Sequence, residues 1–226
     1  MNYLANFLTG LSLACGFISI IFSLESHFTF ACWAIILSVI FDGLDGQVAR
    51  INSIPSEFGK QLDSLVDAVS FGIAPSLLGY IFVYRNFSYL ATCALFIYLV
   101  CSITRLAKYN ITPKEKLVNY FYGLPTTASG GLLASFILIY RKYTRLPPHF
   151  IFLLIVLLLA FLMVSRARYL NLDGLKQILG NKIWLFLLVI LIVFIFIPEI
   201  SIFTLFLFYL ILSPFFVRKI AGVAQW

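Results

Sequence analysis

Long apolar runs separated by short polar breaks make up most of this chain. The charge-poor stretches fall at about 3–24, 28–50, 61–84, 87–106, 124–140, 149–165, 183–198 and 200–217. A hydrocarbon core about 30 Å thick takes about 20 apolar residues per helix. Inside it the backbone polar groups must be satisfied within the segment. The pattern therefore predicts an all-α polytopic membrane protein of about eight transmembrane helices. The sixth and seventh runs are shorter than a full span, which leaves open tilt, local thinning or a hairpin that dips without crossing. The first run has no basic residue before it and no small-residue cleavage site, so it reads as a retained span and not a signal peptide.

Composition removes the soluble alternatives. With 62% hydrophobic and 11% charged residues over 226 positions, and a mean hydropathy of +1.02, the chain lies outside the range of soluble domains. Cys15, Cys32, Cys93 and Cys101 fall inside apolar runs without a C-x-x-C pair and read as core hydrophobes. His27 and His149 sit at loop edges on one side, where an interfacial role suits them.

Charge sets an orientation. With the N-terminus in the cytosol, the inner loops hold Arg50, Lys60, Arg105, Lys108, Lys114, Lys116, Arg166, Arg168, Lys176, Lys182, Arg218 and Lys219. The outer loops hold Arg85, Arg141, Lys142 and Arg145. This asymmetry obeys the positive-inside rule. The net charge of +7 then reflects topology and attraction to the anionic membrane lipids of the inner leaflet, with no nucleic acid needed to explain it. The expected location is the cell membrane, multi-pass. A single membrane domain accounts for 1–226, with cytosolic loops at 51–60 and 107–123. The stretch 166–182 reads as a cytosolic or interfacial connector, followed by two further helices over 183–217.

Four aspartates break the apolar pattern. Asp42, Asp45, Asp63 and Asp67 lie at the cytosolic ends of the second and third runs. An aspartate at mid-helix costs about 2.5 to 3.5 kcal/mol even on the lenient insertion scale, so unpaired carboxylates do not collect there without a cation. The i,i+3 and i,i+4 spacings put each pair on one face of its helix. A short loop makes the two helices antiparallel neighbours, and all four carboxylates are expected to converge. Oxygen donors without His or Cys favour Mg²⁺ or Mn²⁺ over zinc. Gly43, Gly46 and Gly59 leave room for a large ligand to approach the backbone, and Arg50 offers a fixed cation for a phosphate. Arg50 and Lys60 are too few to pair with all four acids, which speaks against a purely structural ion-pair cluster. A divalent cation transporter is the rival reading, but it calls for acids near the bilayer midplane.

The segment DGLDGQVARINSIPSEFGKQLDSLVD resembles the signature D-x-x-D-G-x-x-A-R-x(8)-G-x-x-x-D-x-x-x-D of the CDP-alcohol phosphotransferase family. Asp42, Asp45, Gly46, Ala49, Arg50, Gly59, Asp63 and Asp67 occupy its fixed positions. The resemblance implies a six-helix catalytic core over about 1–165 and a homodimer with a cytosolic active site. It implies two divalent cations held by the first three aspartates, with Asp67 helping to ligate and acting as base. It also implies a CDP-lipid site at Gly46, Ala49, Arg50 and Gly59. Asn6 and Thr9 are similar to the family's weaker N-x-x-T element.

The motifs SFGIAP (70–75), RLAKYN (105–110) and YGLP (122–125) are similar to the phosphatidylserine synthase branch. That branch implies CDP-diacylglycerol as donor, L-serine as acceptor and CMP as leaving group. Ser70, Arg105 and Lys108 are then the candidate acceptor residues, Arg105 through a fork that suits a carboxylate. Glycerol 3-phosphate or inositol phosphate acceptors remain the alternatives, and they would call for a denser set of cations.

Overall fold

The structure is a computed structural model describing residues 3–51, 57–112, 120–144, 149–171 and 197–223, with the side chains of 50, 51, 84–88, 149 and 218–223 excepted. Its helices are α1 (Tyr3–Leu24), α2 (Phe28–Ile51), α3 (Glu57–Asp67), α4 (Ala74–Ile111), α5 (Thr126–Tyr143), α6 (His149–Val164) and α7 (Pro198–Val223). A π-helical segment, Ala68–Ile73, joins α3 to α4. Among the described residues five helical segments are long and apolar enough to cross a membrane: Tyr3–Leu24, Phe28–Ala49, Glu57–Val83, Tyr89–Ile111 and Pro198–Val217. The chain is an all-α polytopic membrane protein. The expected span at 183–198 and most of the connector at 166–182 lie outside the described residues.

The chain reverses within α4, and the two arms lie antiparallel. A side chain at Gly79 would meet Leu95, one at Gly72 would meet Ser102, and Lys60 Nζ donates to the Asn110 carbonyl at 2.8 Å. The third expected span, 61–84, is made of α3, the π segment and the arm 74–83, and the fourth, 87–106, falls in the arm 89–111. Lys60 places a cation against carbonyls at the C-terminal end of α4, where the helix leaves acceptors unpaired. Asn110 Nδ2 donates to Ser64 Oγ at 2.7 Å and closes the same corner.

α1 packs by its small residues. Ala5, Thr9, Ser12, Gly16, Ser19 and Ser23 recur every three or four positions and are buried, while Phe7, Phe17 and Ile21 stay exposed to lipid. Small side chains let membrane helices approach closely, and hydroxyls then bond across the gap. Ser38 Oγ donates to the Ser12 carbonyl at 2.9 Å. Gly16 is required by contact, since a Cβ there would collide with Ser70 of the π segment. The apolar core lies between α2, α4, α5 and α6, with Ile35, Leu78, Tyr98, Leu133, Ile137, Phe152 and Leu159 at its centre.

The expected loops at 107–123 and 166–182 contain a strand each. β1 (Tyr120–Tyr122) pairs antiparallel with β2 (Arg168–Leu170), Tyr120 opposite Leu170, Phe121 opposite Tyr169 and Tyr122 opposite Arg168. Three residues show no readable alternation, and two helices separate the strands in sequence, so no local pattern announces the pairing. The Arg168 guanidinium sits 4.9 Å from the Tyr120 ring and 5.8 Å from that of Tyr122. Gly123 leaves β1 with φ of 75°, and a Cβ there would collide with the Met163 carbonyl. Its N–H donates to the Ala167 carbonyl at 2.8 Å, and Pro125 then opens α5.

Candidate active site

Three of the four aspartates share one point. Carboxylate oxygens of Asp42, Asp63 and Asp67 lie within 4.8 Å of one another. The end of α2 supplies the first, and two successive turns of α3 supply the others. Asp67 is 8% exposed and its Oδ1 has no hydrogen-bond partner among the described residues.

Asp45, the fourth of the expected set, stands beside these three and outside their close group. Its side chain points from α2 toward α1, where Thr9 Oγ1 lies 2.7 Å from Oδ2 and 3.0 Å from the Ala5 carbonyl. The i,i+3 spacing puts Asp42 and Asp45 on one face, and a threonine on the neighbouring helix bonds the second carboxylate. Thr9 is thereby placed, with Asn6 half-buried one turn before it on α1.

Arg105, in the second arm of α4, is 8% exposed and exerts its charge on Asp42, Asp63 and Asp67. Among the described residues it closes no ion pair with them. Its guanidinium lies 5.3 Å from the centre of the Tyr109 ring, and one terminal nitrogen lies 3.4 Å from Thr126 Oγ1. Nε is buried without an acceptor among the described residues. Lys108, one turn further along the same helix, is exposed.

Ser70 is turned elsewhere: its hydroxyl donates to the Ser12 carbonyl at 3.2 Å and packs against Gly16. Uniform helical spacing would hold it near the face of Asp67, but the π turn begins at Ala68 and breaks that spacing. Gly46 is half-buried with no atom of the described residues within 4 Å of where a Cβ would stand, Gly59 is half-buried, and Ala49 is exposed. The Arg50 side chain lies outside the described residues. Sequence reasoning missed Thr126 and Tyr109 as the setting of Arg105. Pro125, at the N-cap of α5, is the local signal in the sequence that marks Thr126 as the helix's first residue.

The family model for CDP-alcohol phosphatidyltransferase matches residues 2–164. The chain belongs to the CDP-alcohol phosphatidyltransferase family. Similar curated proteins include a CDP-diacylglycerol–serine O-phosphatidyltransferase of Helicobacter pylori, 36% identical over 173 residues, which cover 76% of this chain and 73% of that one. An archaetidylserine synthase of Methanothermobacter thermautotrophicus is 33% identical over 173 residues, 76% and 71% of the two chains. A CDP-diacylglycerol–serine O-phosphatidyltransferase of Methanocaldococcus jannaschii is 40% identical over 136 residues, 60% and 61% of the two.

CDP-alcohol phosphatidyltransferases are generally dependent on divalent metal, and the residues here fit such an ion. The donor set is all oxygen, one buried carboxylate oxygen has no partner among the described residues, and the single charge of Arg105 does not balance three acids. Carboxylates left uncompensated in a buried site are strongly destabilising, and a divalent cation removes that penalty.

The space at Gly46 carries a prediction. If Gly46 and Gly59 line the nucleotide site, as the signature implies, Gly46→Leu, and equally Gly59→Leu, is expected to raise the apparent KM for the CDP-lipid at least about tenfold, because the added volume would fill that room. Donor titrations of the folded variants check it, and an unchanged donor constant in both would place the nucleotide elsewhere.

Proposed function

We propose that the chain is a CDP-diacylglycerol:serine O-phosphatidyltransferase of phospholipid biosynthesis, releasing CMP as it forms phosphatidylserine. The observation that carries the reading is the cluster of Asp42, Asp63 and Asp67 under the charge of Arg105, whose buried Nε has no acceptor among the described residues. The names of its relatives supply the acceptor.

Asp67 takes the proton from the serine hydroxyl, as a base beside the reacting oxygen must. That oxygen bonds to the phosphorus carrying diacylglycerol, and the bond from this phosphorus to the bridging oxygen of the pyrophosphate breaks as CMP leaves. Mg²⁺ or Mn²⁺, two ions held by Asp42, Asp63 and Asp67 with Asp45 beside them, neutralises the charge on the phosphates when bound. Gly46, Ala49, Gly59 and Arg50 receive the CDP moiety. Arg105 grips the serine carboxylate with two parallel hydrogen bonds. The site opens to the cytosol, where serine and nucleotide are soluble, and the protein works as a homodimer in the cell membrane.

Purified protein given CDP-diacylglycerol, labelled serine and Mg²⁺ or Mn²⁺ is expected to form labelled phosphatidylserine and CMP in equal amounts. CMP release with glycerol 3-phosphate or an inositol phosphate, but not with serine, overturns the acceptor. No CMP with any alcohol, together with cation flux into proteoliposomes, overturns the enzyme. Because one relative is an archaetidylserine synthase, the same assay compares acyl and isoprenoid donors.

The acceptor assignment predicts that Arg105→Ala raises the KM for serine about 10- to 100-fold, the worth of a charged hydrogen bond, and changes the donor KM about twofold or less. Arg105→Lys keeps the charge without the fork and should recover part of the loss. Initial rates at varied serine and varied donor check both.

A further inference from the structure

The matched region ends at residue 164, yet the chain continues into β2 and α7, and both come back to the site. Both backbone polar groups of Leu170 are held by α7: its N–H donates to Ser213 Oγ at 2.5 Å, and its carbonyl accepts from the Tyr209 hydroxyl at 3.0 Å. Ser213 is 3% exposed on a helix whose other faces present Phe208, Ile211 and Phe215 to lipid. Polar side chains turned inward from an apolar membrane helix are a costly placement unless they bond across the interface.

From that clamp, packed groups lead to Arg105 by two routes. Tyr169, next to Leu170, is buried against Tyr209 with ring centres 6.0 Å apart, and it pairs with Phe121 across the ribbon. Phe121 meets Tyr109 edge to face at 5.7 Å, and Tyr109 lies beneath the Arg105 guanidinium. On the second route Phe206 of α7 fills the space a Cβ at Gly131 would need, and the first residue of the same helix α5 is Thr126, which touches Arg105. The Tyr209 hydroxyl also lies within electrostatic range of Arg105.

We propose that α7 is the acceptor-end clamp of this enzyme: Tyr209 and Ser213 are positioning residues that lock the β1–β2 ribbon and thereby hold Arg105 in the pose that receives the acceptor carboxylate. The inference rests on Arg105 serving the acceptor, as proposed above. It assigns a role in acceptor affinity to a helix beyond the matched family region.

The test is steady-state kinetics on the full chain carrying Tyr209→Phe, Ser213→Ala and the pair, with Arg105→Ala in parallel. Each single change removes one hydrogen bond to Leu170, so each is expected to raise the serine KM about fivefold and the pair more, with donor KM and kcat within about twofold. Ser213→Thr keeps the hydroxyl and should stay near wild type. A merely structural role would reduce the active fraction or the melting temperature with both KM values unchanged. Unchanged serine KM in the folded pair, or equal rises in both KM values, overturns the proposal. If Arg105→Ala shifts the donor KM instead, the serine assignment of Arg105 fails by itself. The clamp then stands only if the pair shifts that same donor constant, and it falls otherwise. Should the wild-type protein use another alcohol, the same comparison is made with that alcohol.

Discussion

Asp67→Asn should lower turnover with serine by about a hundredfold or more while leaving CDP-lipid binding within about twofold. General base catalysis contributes about 10² to 10⁴ in rate, and the amide cannot accept the serine proton. Asp67 is the most buried carboxylate of the three that converge, and one of its oxygens has no partner among the described residues. The amide nearly matches the carboxylate in size, so the packing of α3 against the π segment should survive. Single-turnover rates and donor binding by thermal shift check the two halves separately. Wild-type-like turnover would sink the base assignment. A matching loss of donor binding would place Asp67 chiefly among the metal ligands.

The second large effect is expected at the ligands, and the structure ranks them. Asp63→Ala should raise the Mn²⁺ or Mg²⁺ concentration for half-maximal activity about tenfold or more and abolish metal-dependent donor binding. Asp45→Ala should do less, because Asp45 lies outside the close set and is bonded to Thr9. Loss of a ligand leaves the remaining carboxylates repelling one another with less compensating charge. A chelator added to wild-type protein should abolish turnover, and returning the metal should restore it. Metal titrations of the two variants decide the ranking, and equal losses would return Asp45 to the inner set.

The membrane class, the positions of the helices in the described region and the carboxylate cluster were legible because each depends on local rules. Apolar run length marks spans, and i,i+3 and i,i+4 spacing marks faces. The rest depends on contacts distant in sequence. Nothing near Asp45 announces that its carboxylate is bonded to Thr9 on another helix. Ser70 was visible through the SFGIAP motif, but nothing in the residue spacing announces the π turn at Ala68–Ile73 or the bond of its hydroxyl to the Ser12 carbonyl. The ribbon joins Phe121 to Tyr169, and no pattern within either three-residue strand is long enough to reveal it. Arg105 was visible as a residue, but the burial of its guanidinium and its bed of Tyr109 and Thr126 belong to tertiary structure.

The π turn after Asp67 is a phase shifter. In an unbroken α-helix Asp63, Asp67, Phe71, Ala74 and Leu78 would form a single stripe, because residues three or four apart lie on one face. The carboxylates would then aim along the line that Phe71, Ala74 and Leu78 bury in the apolar centre of the bundle. One widened turn offsets the upstream angles from the downstream ones by up to about 100°, the rotation per α-helical residue. Chemistry and packing thus occupy one continuous rod at independent angular settings. Substitutions that repack its lower half need not re-aim the acids above.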